Sequence, residues 1–222
     1  MRRRIRIAID GPAGAGKSTV AKCVATRLGY GLLDTGAMFR SLALKALRDA
    51  IDLSSESQLS ELASSLSFRF QIEDGVNRVW VNEEDLTSAI REERISEASS
   101  QISGLPAVRR ALLTKQRELL SESGVVLEGR DTGTVVCPEA ELKIFLDADP
   151  KERAKRRMAE LDSGARLEQV EADMRLRDRK DSSRQVAPLV AAEDATRVDT
   201  THLSLEEVCE RIIGLAESRL RV

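Results

Sequence analysis

Gly11-Pro12-Ala13-Gly14-Ala15-Gly16-Lys17-Ser18-Thr19 fits the spacing G-x-x-x-x-G-K-[ST], in which glycines let the backbone close around phosphate oxygens without a Cβ in the way. The stretch before it, Ile5-Arg6-Ile7-Ala8-Ile9, is short and β-branched, the composition of a strand. After it, Val20, Ala21, Val24, Ala25 and Leu28 recur at helical spacing as far as Gly29, a C-terminal stop. Strand, glycine loop and helix in that order aim successive N–H groups at a bound anion, and the helix dipole adds to the attraction. Lys17 is expected to reach the β- and γ-phosphates of a nucleoside triphosphate, and Ser18 to offer its hydroxyl to Mg²⁺. A Gly-rich turn that binds nothing is the plainer alternative, and the full motif in this context argues against it.

Working outward, Tyr30 to Asp34 reads as a second buried strand. It runs into Asp34-Thr35-Gly36-Ala37-Met38-Phe39-Arg40, a turn opening a helix to about Ala50. In a doubly wound sheet ligands bind at the carboxyl ends of strands, which sets this turn beside the first loop. Ser54 to Leu66 carries a helical stripe. Phe68 to Ile72 and Val76 to Val81 then switch to period two around Glu73-Asp74-Gly75, the pattern of a β-hairpin. Its Trp80 and phenylalanines are expected to pack the hairpin rather than stack on a base. Helical segments follow over Leu86–Arg91 and Ile95–Ile102, and a longer helix runs from Pro106 to about Ser121. Val125 to Glu128 is the third core strand, leading into Gly129-Arg130-Asp131-Thr132-Gly133, and Leu142 to Asp147 is the fourth. From Pro150 the chain turns helical, breaks at Asp162-Ser163-Gly164 and resumes from Leu167 to about Lys180. Thr196 to Asp199 forms a fifth strand, and Ser204 opens a last helix with Glu206 and Glu207 in its first turn, as the dipole favours. Strands alternating with helices imply an α/β fold with a parallel sheet, and the long gap between the second and third strands must hold an inserted lobe.

The 222 residues are 41% hydrophobic and 32% charged, which suits one globular α/β domain with insertions. A net charge of −2 gives no bulk attraction to nucleic acid or membrane, so the 35 Lys and Arg point to local pockets for small anions. Cys23, Cys137 and Cys209 are odd in number and outside any C-x-x-C spacing, so reduced thiols are expected rather than a disulfide framework. A single His, His202, rules out an imidazole-rich metal site and reads as solvated. The basic start Met1-Arg2-Arg3-Arg4 precedes only a strand's worth of apolar residues, and no run approaches a membrane span. A cytoplasmic monomer is the expectation. No Asn-Lys pair and no Asp followed by Gly three residues on occur, which argues against a guanine-nucleotide switch.

At Gly129-Arg130-Asp131-Thr132-Gly133-Thr134-Val135-Val136 the likeness becomes specific. Together with the first loop, the Asp34 to Arg40 turn, Lys143-Ile144-Phe145-Leu146-Asp147-Ala148, Arg177-Asp178-Arg179-Lys180-Asp181-Ser182-Ser183-Arg184 and Ala187-Pro188-Leu189, this block resembles the bacterial cytidylate kinases, a branch of the P-loop nucleoside monophosphate kinases. The likeness covers nearly the whole chain in order. It implies the reaction ATP + CMP (or dCMP) ⇌ ADP + CDP (or dCDP) with Mg²⁺. It also implies a five-stranded parallel sheet of order 2-3-1-4-5, with core segments 1–34, 122–150 and 186–222. A monophosphate-binding lobe would span 35–121 with a β insert at about 66–95, and a lid and following helix would span 151–185.

The acceptor is a phosphate monoester, already anionic at neutral pH because its second pKa is about 6, so no general base is required. The difficulty is repulsion between two polyanions held in line, and cations must dominate such a site. Lys17, Arg40, Arg130 and Arg184 are the catalytic set implied; Arg40 and Arg130 would clamp the acceptor phosphate. Cytosine offers an N4 donor where uracil offers an O4 acceptor, so a carboxylate such as Asp131 separates them. The resemblance adds Ser100 and Arg109 at the base, Thr35 in the acceptor turn, and Arg177 with Asp181 at the ribose. A Mg²⁺ carboxylate or a salt bridge to Arg130 is the alternative for Asp131, and a solvated intrahelical ion pair is the alternative for Arg177 and Asp181. Of the lid arginines Arg153, Arg156 and Arg157, at least one is expected to be solvated, and Arg153 and Arg157, four apart, are expected to face ATP. Phe39 stands where many relatives carry Tyr. Two other readings remain open: another small-molecule or monophosphate kinase on the same loop, and an ATP-binding regulatory protein.

Overall fold

A computed structural model describes residues 3–120, 124–160 and 166–220. Five strands form one parallel sheet: β1 (Arg6–Asp10), β2 (Gly31–Asp34), β6 (Val125–Gly129), β7 (Leu142–Asp147) and β8 (Thr196–Asp199), in the spatial order β2-β6-β1-β7-β8. Counting these core strands alone, that is the order 2-3-1-4-5. Strands buried on both faces read as apolar runs, and alternate side chains sort between two cores. Ala8, Leu33 and Leu127 enter one, with helices α2 (Thr35–Arg48), α3 (Glu56–Ser65), α4 (Glu93–Ile102) and α5 (Pro106–Glu118). Ile7, Ile9, Leu32, Val126 and Ile144 enter the other, against α1 (Lys17–Leu28) and α8 (Leu205–Leu220).

Local signals account for the boundaries. Gly29 closes α1 in a left-handed conformation, φ 66°, which glycine adopts freely. Asp34 caps α2 by accepting the Ala37 N–H at 2.7 Å, and Pro106 opens α5. The hairpin is β3 (Phe68–Glu73) and β4 (Val76–Val81), joined by Asp74 and Gly75, both at positive φ as a two-residue turn of this hand requires. It carries a third strand that the sequence did not signal, β5 (Glu84–Asp85), two acidic residues with no apolar alternation. Val79 and Val81 bury in the same core as α2, so the insert is packed onto the lobe, while Trp80 lies 3.8 Å under the Arg69 guanidinium. Leu86–Arg91 forms no α-helix; its second half, Ala89–Arg91, is a 3₁₀ turn. The remaining helices are α6 (Pro150–Glu160) and α7 (Leu167–Ser182). The end expected for α5 at Ser121 and the break at Asp162-Ser163-Gly164 lie outside the described residues. No helix among the described residues is long and apolar enough to cross a membrane.

The chain leaves β1 toward β2 at one side and leaves β6 toward β7 at the other. Asp10 and Gly129 are in register at the carboxyl ends of these neighbours, so the crevice between them is the place where such sheets bind ligands.

Candidate active site

The loop after β1 is held open by glycine. A Cβ on Gly11, at φ 151°, would run into the Leu146 carbonyl oxygen. Gly16, at φ 86°, precedes α1 without any side-chain cap, so the first turn of that helix keeps donors for an anion. Lys17 is buried, with its Nζ donating to the Pro12 carbonyl at 2.7 Å. Burial, and after it repulsion from Arg130 and Arg177, holds its ammonium well below the usual lysine range, against the pull of Glu128 and Asp10. Ser18 Oγ donates to Glu128 Oε2 at 2.7 Å. Burial and the neighbouring Asp34 push the Glu128 carboxyl upward, opposed by Ser18, Lys17 and Arg40. A hydroxyl and a carboxylate side by side at the loop are hard oxygen donors of the kind Mg²⁺ takes. Among the described residues no cluster of three or more His, Cys, Asp or Glu could hold a metal alone. The donor set therefore fits an ion that arrives with a polyphosphate and keeps much of its water.

Beside this loop lies a cleft that gathers every acceptor-side residue expected from the sequence: Thr35, Arg40, Ser100, Arg109, Arg130, Asp131, Arg177, Asp181 and Arg184. Five parts of the fold supply them. From the β2–α2 turn, Arg40 donates to Asp34 at 3.0 Å, and the Thr35 hydroxyl donates to the Glu128 carbonyl at 2.8 Å, which ties the turn to β6. From the β6 loop come Arg130 and Asp131. From α7 and the residues after it, Asp181 accepts from Arg130 Nε at 3.0 Å and from Arg184 at 2.5 Å. From α4 and α5, Arg109 is held by the Ser103 carbonyl at 3.0 Å, by the Asp131 carboxylate, and by the face of Phe39 at 5.3 Å. Ser103 Oγ in turn accepts from Arg184 at 2.8 Å.

Arg177 differs from its neighbours. Its Nε is buried without a partner, and burial together with Arg130, Arg40 and Arg157 lowers the guanidinium to about 10, with Asp181 opposing. Lys17, Arg40, Arg130, Arg157 and Arg177 thus crowd the boundary between loop and cleft, a concentration of like charge that only anions relieve.

Some pairings differ from the alternatives and expectations above. The ion-pair partner of Asp131 is Arg109, not the Arg130 of the alternative reading, and the carboxylate that accepts from Ser18 is Glu128. Asp181 is only 2% exposed and bonds Arg130 and Arg184, so it is no part of a solvated helical ion pair with Arg177. Arg153, expected to face ATP, is buried: it donates to the Ala148 and Ala13 carbonyls at 3.1 and 3.0 Å and pairs with Asp178. Arg156 is anchored to Thr200 rather than solvated. Sequence reasoning also passed over Glu128 and Asp10. Asp10 takes three hydrogen bonds of 2.8 Å from Thr132 N and Oγ1 and Gly133 N, which fixes the β6 loop against β1. The available signal was a carboxylate at or next to the carboxyl end of a largely apolar strand in each case.

The sequence model of the cytidylate kinase family matches residues 7–218. A cytidylate kinase of Limosilactobacillus fermentum is 45% identical over 226 residues, covering 100% of this chain and 99% of that protein. One of Geobacillus sp. (strain WCH70) is 47% identical over 223 residues, covering 99% of this chain and 100% of that protein. Among solved structures, shikimate kinase from Bacteroides thetaiotaomicron superposes with a TM-score of 0.51 at 13% identity, over 96% of this chain and 98% of that one. That likeness shows the fold alone, a parallel α/β sheet flanked by helices. With a family match across its length and full-length relatives at these identities, the chain belongs to the cytidylate kinase family.

Proposed function

We infer that this chain transfers the terminal phosphoryl group of ATP to CMP or dCMP, giving ADP and CDP or dCDP. The observation that carries the reading is the crowd of cations between a phosphate loop and a second cleft, with Lys17 and Arg177 both lowered by burial and by their neighbours. Two bound anions would relieve that crowd, whereas an ATP sensor needs only one.

Residues Gly11 to Thr19 would hold the triphosphate of ATP, with Arg157 approaching from the lid side. Ser18 and Glu128 fit a Mg²⁺ carried in with ATP, which when bound neutralises charge on the phosphates and orients them. Arg40 and Arg130 would bind the acceptor phosphate, and Arg177 and Arg184 would complete the ring of positive charge around the group in flight. No base is needed, because the attacking phosphate oxygen is already ionised. The role of the chain is alignment and electrostatic stabilisation, delivered by donors fixed before the substrates arrive. At the base, Asp131 would accept from cytosine N4, while Arg109 and Ser100 meet its acceptors. Thr35 would set the acceptor turn, and Asp181 would take the ribose hydroxyls. Residues 35–121 would close over CMP, and the lid and following helix, 151–185, would cover ATP, excluding water from the transfer. Every residue in this assignment comes from one chain, so a monomer suffices. Three free cysteines suit a reducing cytoplasm.

A coupled ADP-release assay with CMP, dCMP, UMP, AMP and shikimate tests the assignment. CMP and dCMP are expected to give the highest kcat/KM, and a clear preference for AMP or shikimate would overturn it.

A further inference from the structure

Ala13, at the crest of the phosphate loop, has both of its backbone polar groups taken by side chains from the two helices behind it. Its carbonyl accepts from Arg153 Nη1 at 3.0 Å, and its N–H donates to Asp178 Oδ1 at 3.3 Å. Arg153 Nη1 also donates to Asp178 Oδ2 at 2.5 Å, which closes a triangle of loop, α6 and α7. The pair is sheltered, with the Arg153 side chain 9% exposed and that of Asp178 17% exposed. Apolar contact reinforces it: Ala13 packs on a small cluster of Ala154, Val170 and Met174. The next residue, Gly14, lies so close that a Cβ would sit 2.7 Å from both the Arg153 carbonyl oxygen and Met174 Cε.

A loop that binds phosphate through backbone amides gains affinity if those amides are ordered before the anion arrives, because ordering them later subtracts from binding. None of the roles assigned above uses Asp178. It sits next to Arg177 in the sequence, yet its carboxylate goes to the donor loop, while Arg177 and Asp181 line the acceptor cleft.

We propose that Asp178 is a donor-site positioning residue, fixing the crest of the phosphate loop through Ala13 and Arg153 without touching either nucleotide. The idea rests on the reading of that loop as the ATP site. Freeing one residue's backbone is worth about 5- to 30-fold in an equilibrium constant, which sets the size of the expected effect.

The test is calorimetric titration of ATP into the intact chain without CMP, for wild type, Asp178→Ala, Asp178→Asn, Arg153→Ala and the Asp178→Ala/Arg153→Ala double variant, with parallel titrations of CMP and thermal melts. Asp178→Ala should raise the Kd for ATP about 5- to 30-fold and leave the Kd for CMP in place. Asp178→Asn, whose amide oxygen still accepts the Ala13 N–H, should recover part of the loss and serves if the alanine variant does not fold. The double variant should be little worse than the poorer single one, as for two residues acting through one contact. Unchanged ATP affinity in both Asp178 variants, equal losses for ATP and CMP, or additive losses in the double variant would each overturn the proposal. Wild-type chain that binds no ATP refutes the donor-site reading itself, whereas wild type that binds ATP no better than the variants refutes only the role of Asp178.

Discussion

Replacing Asp131 by Asn removes one charge from a buried ion pair while keeping its size and a hydrogen-bonding oxygen. Both partners are nearly dry, the Arg109 side chain 8% and the Asp131 side chain 9% exposed. Leaving one member of such a pair uncompensated costs about 3–5 kcal/mol. Arg109 keeps the Ser103 carbonyl and the Phe39 face, so the lower end applies, about 3 kcal/mol. For a domain of this size that lowers Tm by roughly 6–12 °C, which leaves the variant folded at assay temperature. The functional effect is separate. A hydrogen bond to a charged group is worth about 1.5–3 kcal/mol, so kcat/KM for CMP should fall on the order of 10- to 100-fold. An amide can turn its NH₂ toward uracil O4, so kcat/KM for UMP should hold or rise. The measurement is kcat/KM for CMP and UMP by coupled ADP release, with thermal melts alongside. A drop in Tm with the CMP/UMP ratio unchanged would refute base recognition by Asp131 and reduce the pair to a structural one.

Lys17→Ala should lose on the order of 10²- to 10³-fold in kcat with little change in Tm, because the ammonium it removes is disfavoured by its surroundings; near-normal kcat would contradict its assigned role. The same lysine makes ATP binding proton-linked: its pKa in the free protein is lowered to about 7, so above that pH the amine is largely neutral, and phosphates that raise the pKa draw in a proton. Calorimetry in buffers of different ionisation enthalpy should show proton uptake growing from pH 6 to pH 8 and absent in Lys17→Ala, while equal uptake in both proteins would assign the proton elsewhere. Arg177→Met deletes a buried guanidinium whose Nε has no partner and whose neighbours repel it, so Tm should hold or rise while KM for CMP increases at least about tenfold; a fall in Tm with unchanged KM would make the residue structural.

What could be read from the chain alone was whatever has a local cause. The loop and the five core strands follow from short apolar runs and glycine spacing, and β7 and β8 begin and end where the residue pattern put them, whereas the order of the strands came with the family resemblance. The nine acceptor-side residues meet in one cleft because each sits in the first turns of α2, just past β6, or on or just after α4, α5 or α7 around the same crevice. What was not legible is who pairs with whom. Arg153 lies on a helix whose spacing suits a nucleotide-facing stripe, but Asp178, 25 residues away, captures it. Arg109 takes Asp131 from 22 residues away, where adjacency had suggested Arg130. Charged pairs carry no periodicity, so a one-dimensional pattern can nominate the charges of a site and cannot assign their partners. β5 escaped for a related reason: two acidic residues pair with β4 without an alternating face.

The pairings explain how so many arginines coexist without substrate. Asp34 holds Arg40, Asp131 holds Arg109, and Asp181 holds both Arg130 and Arg184, so each guanidinium is fixed in place before a nucleotide arrives. Donors oriented in advance reorganise little as charge builds on a transferred group, the condition under which electrostatic stabilisation is strongest. Fully neutralised arginines would offer an incoming phosphate little, however, and the fold avoids that outcome: one carboxylate, Asp181, serves two guanidinium groups, and two further cations are left short. Arg177 has a buried Nε without a partner, and Lys17 is reduced to its own loop's Pro12 carbonyl. They sit on either side of the boundary between donor loop and acceptor cleft, each depressed in part by Arg130. On the proposed function, the stability withheld at that boundary is free energy that the phosphates of donor and acceptor would recover together.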